Sequence, residues 1–291
     1  MKQIVVCLFC LVSVLSISTT VAAEPLNPEQ REATLRFINS LQNADGGFRA
    51  AVPPGPSMVS ATSSALRVFK NLGGPISNRP EKLVRQCLQE SGGFSDTPGG
   101  KPEIRVTWMG VNAIVNMKGE PPAEMEKIMG FASANARSIY PDIYFATSIV
   151  EDAGVKAPKA AEWLAALEAT RNPDGTYGKN ADEIAHAVVI ILRLGGTLKD
   201  PAPVIKALKA AQQPDGSFSG TGKGSDVPGT YTVLRALWML KEKPDLAAVR
   251  KYIASCRNAD GGYCLVAGKP SAATPTYMAS SVLRWADELA R

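Results

Sequence analysis

Asn258-Ala-Asp-Gly-Gly-Tyr263 sets the reading of this chain, because it is not alone. Asn43-Ala-Asp-Gly-Gly-Phe48 repeats it almost letter for letter. Asn172-Pro-Asp-Gly-Thr-Tyr177, Pro214-Asp-Gly-Ser-Phe218 and the shortened Glu90-Ser-Gly-Gly-Phe94 are variants, and a worn copy falls near Ile139-Tyr140. The closing aromatics stand at 48, 94, 140, 177, 218 and 263, in steps of 46, 46, 37, 41 and 45 residues. A period in that range marks a repeat architecture.

Working outward, each turn lies between two helical patterns. Before it comes an amphipathic run: Pro28–Leu41, Glu81–Leu88, Ala123–Ala132, Ala160–Ala169, Pro203–Ala211 or Leu246–Cys256. Apolar residues recur in these runs at helical spacing. Several follow a proline, which suits a first turn whose N–H is unpaired anyway. The Asp-Gly step supplies a turn residue and a backbone able to take positive φ, and the aromatic behind it is expected to fill the gap between helix pairs.

After the turn, a polar loop leads into a helix apolar on most faces: Val59–Leu72, Val106–Met117, Ile143–Val150, Ile184–Leu194, Tyr231–Leu240 or Tyr277–Leu289. Helices apolar nearly all round are buried ones. The first helix of each pair is therefore outer and the second inner. Strand signals are scarce. Six such pairs without a polar capping repeat predict an all-α fold that closes into an α/α toroid, rather than an open solenoid.

The ends and the composition bound the rest. Lys2 precedes the apolar run Ile4–Ile17, and Val21-Ala22-Ala23 offers small residues for cleavage. Residues 1–23 read as a secretory signal peptide, too short for a membrane span, and 24–291 as one toroidal domain. The expectation is an exported protein, periplasmic or extracellular. Removing Lys2 lowers the net charge from +5 to +4. That mild excess, with no run of five basic residues, gives no case for nucleic acid. Cys256 and Cys264 flank the last turn, either as a disulfide in an oxidising compartment or as separate small hydrophobes, with Cys87 apart.

Repeated Asp-Gly-Gly-Phe/Tyr turns between paired helices resemble the prenyltransferase and squalene-cyclase repeat family over about Pro28 to Ala290. Within it, Gly92-Gly-Phe-Ser-Asp-Thr-Pro-Gly99 and Asp226 to Leu240 are most similar to the β subunit of the Rab-type protein geranylgeranyltransferase. The resemblance implies a central cavity lined by inner-helix aromatics that holds an isoprenoid chain. It also implies a zinc site built from an Asp-x-Cys start of the penultimate inner helix and a histidine at the last. Here Asp226-Val227-Pro228 keeps only the aspartate, and Tyr277 stands in the place of the histidine. No metal or cofactor is therefore expected, with zinc implied only if transferase chemistry survives. Lys223 matches a family lysine that neutralises the diphosphate, while Gly220 replaces an arginine. The acidic Asp-x-Asp-Asp proton donor of the triterpene cyclases is absent from the sequence.

Weak catalytic candidates are thus Asp226, Lys223 and His186, the single histidine of the chain. The simpler readings are a helix-start aspartate, a solvated lysine and a satisfied cavity-wall histidine. Trp108, Tyr144, Tyr231 and Tyr277 are candidates to line the ligand pocket. The expected partner is an apolar or isoprenoid small molecule, or another protein. Two alternatives stand beside that reading. One is an active geranylgeranyl transferase. The other is a glycan-active α/α barrel using Glu103, Asp142, Asp182, Glu183 and Asp226, which fall in corresponding loops.

Overall fold

The computed structural model describes residues 26–221 and 224–291. The expected leader, residues 1–23, and Lys223 lie outside the described residues. Six outer helices are α1 (Pro28–Ser40), α3 (Glu81–Gln86), α5 (Met125–Asn135), α7 (Ala160–Glu168), α9 (Ala202–Ala210) and α11 (Leu246–Ser255). Six inner helices alternate with them: α2 (Val59–Leu72), α4 (Ile104–Lys118), α6 (Tyr144–Ala153), α8 (Ala181–Arg193), α10 (Val227–Met239) and α12 (Ala273–Ala290). Each inner helix packs on the next, and α12 returns onto α2. The ring is closed, as the six-fold repeat predicted.

The turns supply the joints. In four of them the aspartate Oδ1 accepts a bond of 2.9 Å from the backbone N–H two residues on, Asp45 from Gly47 and Asp260 from Gly262 among them. The chain then pairs back on itself through single antiparallel bridges, Gln42 with Phe48 and Arg257 with Tyr263 for instance. Five of the six closing aromatics are buried to 2% exposure or less, and Tyr140 of the worn copy is half-buried. At four of them the backbone N–H donates to a threonine hydroxyl on the following inner helix: Phe48 to Thr62, Phe94 to Thr107, Phe218 to Thr230 and Tyr263 to Thr276.

Gly216 explains why the turn needs glycine. Its φ is +91°, and a Cβ there would lie 2.0 Å from the Ala248 carbonyl oxygen of the next outer helix. Gly261 makes the same approach to the Ala33 carbonyl, and Thr34 Oγ1 donates to the Gly261 carbonyl at 2.8 Å. The last turn thus sits on the first outer helix, and the outer layer closes as the inner one does.

Three details differ from expectation or refine it. Helices α4, α8, α10 and α12 begin earlier than their apolar runs, and in α8 and α10 the side chains of Asn180 and Asp226 cap the early start. The worn repeat is a wide turn, Ile139–Ile143, with extended backbone at Tyr140 and a cis Tyr140–Pro141 bond. Cys256 and Cys264 are free and buried, the Cys264 thiol donating to the Cys256 carbonyl at 3.1 Å.

Candidate functional site

Because each pair is a hairpin, the six inner helices run in one direction, with their C-terminal ends gathered at one mouth. Within that mouth lies a central cavity of about 200 Å³. Its floor holds three aromatics, Trp108, Tyr231 and Tyr277. The Tyr231 and Tyr277 hydroxyls are bonded to each other. Arg67 sits between two of these rings, 4.4 Å from the centroid of Trp108 and 4.7 Å from that of Tyr277. Its edge bonds the Tyr277 hydroxyl, Asn112 Oδ1 at 2.6 Å and Asp152 at 3.2 Å. Asp152 also accepts from Trp108 Nε1 at 2.8 Å and Asn112 Nδ2 at 2.9 Å.

A second cluster stands beside the first. Glu151 accepts from Arg193 Nε at 2.8 Å and from Arg235. Arg193 also donates to Ser148 Oγ at 2.7 Å, and Arg235 lies over the rings of Trp238 and Trp285. Burial alone would raise the Glu151 carboxyl, but the two guanidiniums override it and hold the group below the ordinary carboxylate value. A glycosidase acid needs the opposite, a raised carboxyl.

The cavity has more donors than acceptors. Five cationic side chains line it (Arg67, Lys70, Arg193, Arg235 and Arg284) against the two carboxylates. Trp285 is 2% exposed on this wall, and its Nε1–H has no partner among the described residues. Arg284 Nε is likewise buried and unbonded, with the nearest carboxylate oxygen, on Glu288, 3.9 Å away. A buried donor left without an acceptor is costly, and these two belong to residues that line the cavity.

The expected site residues divide between this cavity and other places. Trp108, Tyr231 and Tyr277 line it, together with charged side chains. The Tyr144 ring packs against His186, 4.3 Å between centroids, and burial pushes its phenol up to about 12. His186 is buried outside this cavity's lining, its Nδ1 3.4 Å from Asp182 without a hydrogen bond. Burial lowers its imidazole, with Asp182 opposing. Asp226 caps α10, accepting from Gly229 N–H at 2.6 Å. Of the other loop carboxylates, Asp142 accepts from Ser138 and Glu183 from the Lys179 N–H, while Glu103 and Asp142 line one surface groove together.

Zinc does not fit here. Asp226 is engaged as a cap, Pro228 offers no side-chain donor, and Tyr277 already bonds a guanidinium that would repel a cation. No group of three or more potential metal-ligating His, Cys, Asp or Glu occurs among the described residues. None of the described helices is long and apolar enough to cross a membrane.

Motif reasoning missed Arg67, Arg193, Arg235, Glu151 and Asp152. A signal did exist: Glu151-Asp152 ends an apolar helix, where the helix dipole disfavours acids, so they require cations from elsewhere.

Solved structures similar to this chain share its ring. Candida albicans protein geranylgeranyltransferase-I complexed with GGPP aligns with TM-score 0.65 at 13% identity, over 87% of this chain and 90% of that one. A type II terpene cyclase from Scytonema in complex with geranylgeranyl dihydroxybenzoate gives 0.63 at 12% identity, over 90% and 97%. A protein from Actinoplanes gives 0.61 at 13%, over 90% and 99%. At such identities the likeness shows the fold alone. No curated protein matches the sequence. The prenyltransferase alpha-alpha toroid domain family matches residues 1–131 and 143–291, and this chain belongs to it.

Proposed function

We propose that this toroid is an exported binding protein without zinc-dependent transferase chemistry, and that its central cavity takes a small anionic hydrogen-bond acceptor, a carboxylate or phosphate group. The observation that carries this reading is the pair of buried, unbonded donors, Trp285 Nε1 and Arg284 Nε, on a wall with excess cationic side chains. Size supports it as well. Pockets for drug-sized ligands span about 300–1,000 Å³, and a cavity of about 200 Å³ suits a head group better than a long isoprenoid chain. Export rests on Lys2, the apolar run Ile4–Ile17 and the small residues Val21-Ala22-Ala23.

The test is calorimetric titration of the purified protein with inorganic phosphate, diphosphate and acetate, with thermal unfolding alongside. A ligand that binds only the folded state raises the midpoint by mass action. Saturable binding that is weakened by Trp285→Phe supports the reading. Its absence, or prenyl transfer to a thiol that needs zinc, overturns it.

A further inference from the structure

The turn that closes the ring carries two buried thiols that the cavity does not use. Cys256 ends α11 and Cys264 follows the turn, both without exposed surface. The Cys264 N–H donates to the Cys256 carbonyl at 3.0 Å, and its thiol reaches the same oxygen at 3.1 Å. One step inward, Arg257 and Tyr263 form an antiparallel bridge. Cross-strand residues joined by such a bond keep their Cα atoms roughly 5.5 Å apart, inside the about 4.4–6.8 Å that a disulfide spans. The Cys264 sulfur is thus turned across the turn toward Cys256.

Other turns use the same backbone bond with different side chains. The Arg49 N–H donates to the Leu41 carbonyl, that of Ser95 to Cys87 and that of Ser219 to Ala211. Ser95 Oγ also donates to the Cys87 carbonyl, at 3.3 Å, as the Cys264 thiol does to that of Cys256. A hydroxyl therefore satisfies this position in the second repeat, and the last turn places a second thiol there instead. That turn has a particular task. Besides the approach of Gly261 to α1, Arg257 donates to the Gln30 carbonyl at 3.1 Å, and the Val227 N–H donates to the Leu265 carbonyl at 3.0 Å. The segment between the cysteines binds the first repeat, and the residue just beyond it binds the start of α10.

We propose that Cys256 and Cys264 form a disulfide that clamps the turn on which ring closure depends. The chemistry is thiol–disulfide exchange with a small disulfide, oxidised glutathione. The thiolate of one cysteine attacks a glutathione sulfur and releases one glutathione thiolate. The other cysteine attacks the protein sulfur of the mixed disulfide and releases the second. The pair loses two electrons and two protons, and one glutathione disulfide becomes two thiols. The exchange belongs to folding: burial raises the Cys256 thiol, and raises that of Cys87 to about 11, so the finished fold offers little thiolate to react. The clamp does not rest on what the cavity binds. It forms wherever a disulfide oxidant is supplied, as in an oxidising compartment.

The experiment refolds the purified protein from urea in reduced and oxidised glutathione at several ratios, then traps the remaining thiols by alkylation. Peptide masses should show Cys256 joined to Cys264, with Cys87 alkylated. The oxidised protein should unfold roughly 4–8 °C above the reduced one, the gain expected from closing a loop of about nine residues in a domain of this size. Cys264→Ser should remove that gain and match the reduced wild type, because a hydroxyl can bond the Cys256 carbonyl as Ser95 bonds that of Cys87. Cys87→Ala should keep the gain. A refolded protein whose Cys256 and Cys264 are both alkylated even in fully oxidised glutathione overturns the proposal, as does a bridge from either to any other cysteine. A Cys256–Cys264 bridge that leaves the midpoint unchanged or lowers it overturns the clamping role.

Discussion

Glu151→Gln removes one negative charge that two guanidiniums share. Arg193 Nε is 2.8 Å from one carboxylate oxygen and Arg235 bonds the other, and these arginine side chains are only 5% and 10% exposed. Breaking a buried ion pair by deleting one partner costs about 3–5 kcal/mol. The Glu151 side chain, however, is 34% exposed toward the cavity, so water screens part of the charge left behind. Glutamine also keeps one acceptor oxygen. A loss of about 2 kcal/mol at pH 7 follows, to be read from urea unfolding with an unchanged denaturant slope. The pH dependence adds a second criterion. A carboxyl held below its ordinary 4.5 in the fold contributes stability above that value, and loses it as pH falls through the folded-state value. The gap between wild type and variant should therefore narrow below about pH 4.5. Phosphate binding in the cavity should tighten, because the cationic excess grows. A gap under about 0.5 kcal/mol at pH 7, or one unchanged down to pH 3, would refute the shared-ion account.

Further predictions follow from the ring itself. Gly216→Ala places a Cβ 2.0 Å from the Ala248 carbonyl at φ +91° and should cost about 2–4 kcal/mol in urea unfolding. Thr230→Val strands the buried Phe218 N–H, which now donates to the hydroxyl at 3.1 Å, for about 1–3 kcal/mol, and Thr230→Ser should recover most of it. His186 is lowered mainly by burial, with Arg193 adding to this, Asp182 and Glu183 opposing, and the Tyr140 and Tyr144 rings beside it. A base held low stabilises the fold above its ordinary 6.5 and loses that as pH falls; unfolding midpoints of His186→Gln should vary less between pH 7 and 5. Asp226→Ala should lose the about 0.5–2 kcal/mol of an N-cap, and added zinc should move neither its midpoint nor that of wild type.

The ring could be read in advance because its joints are local. An Asp-Gly step and a following aromatic carry the same turn wherever they occur, so six copies gave the number of hairpins and closure followed from their count. The threonine that receives each aromatic N–H was also within reach, since it stands 12 to 14 residues on in four repeats. The cavity was not. Arg67, Arg193 and Arg235 are single charges in apolar helices, and each alone reads as a tolerated exception. Only closure brings residues 67 and 152, or 151 and 235, into contact across more than 80 positions of sequence. Motif matching also drew the eye to Asp226 and Tyr277 at the starts of the inner helices, whereas the charged cluster extends toward their C-terminal ends.

That end of the barrel has its own electrostatic demand. Six parallel helices each present a partial negative charge of about one half at the shared mouth, on the order of three charges in all. The lining side chains carry five cations against two carboxylates, an excess of three of the opposite sign. Helix ends and side chains therefore come close to cancelling before any ligand arrives. On the proposed reading, then, an anion is not drawn in by a large bulk field; what remains for it is directional, the Trp285 N–H and the Arg284 Nε–H that have no partner among the described residues. Selectivity should then depend on where the acceptor oxygens sit more than on total charge. Monoanions with well-placed oxygens should compete effectively with dianions, and binding should change less with ionic strength than five cationic side chains alone would suggest.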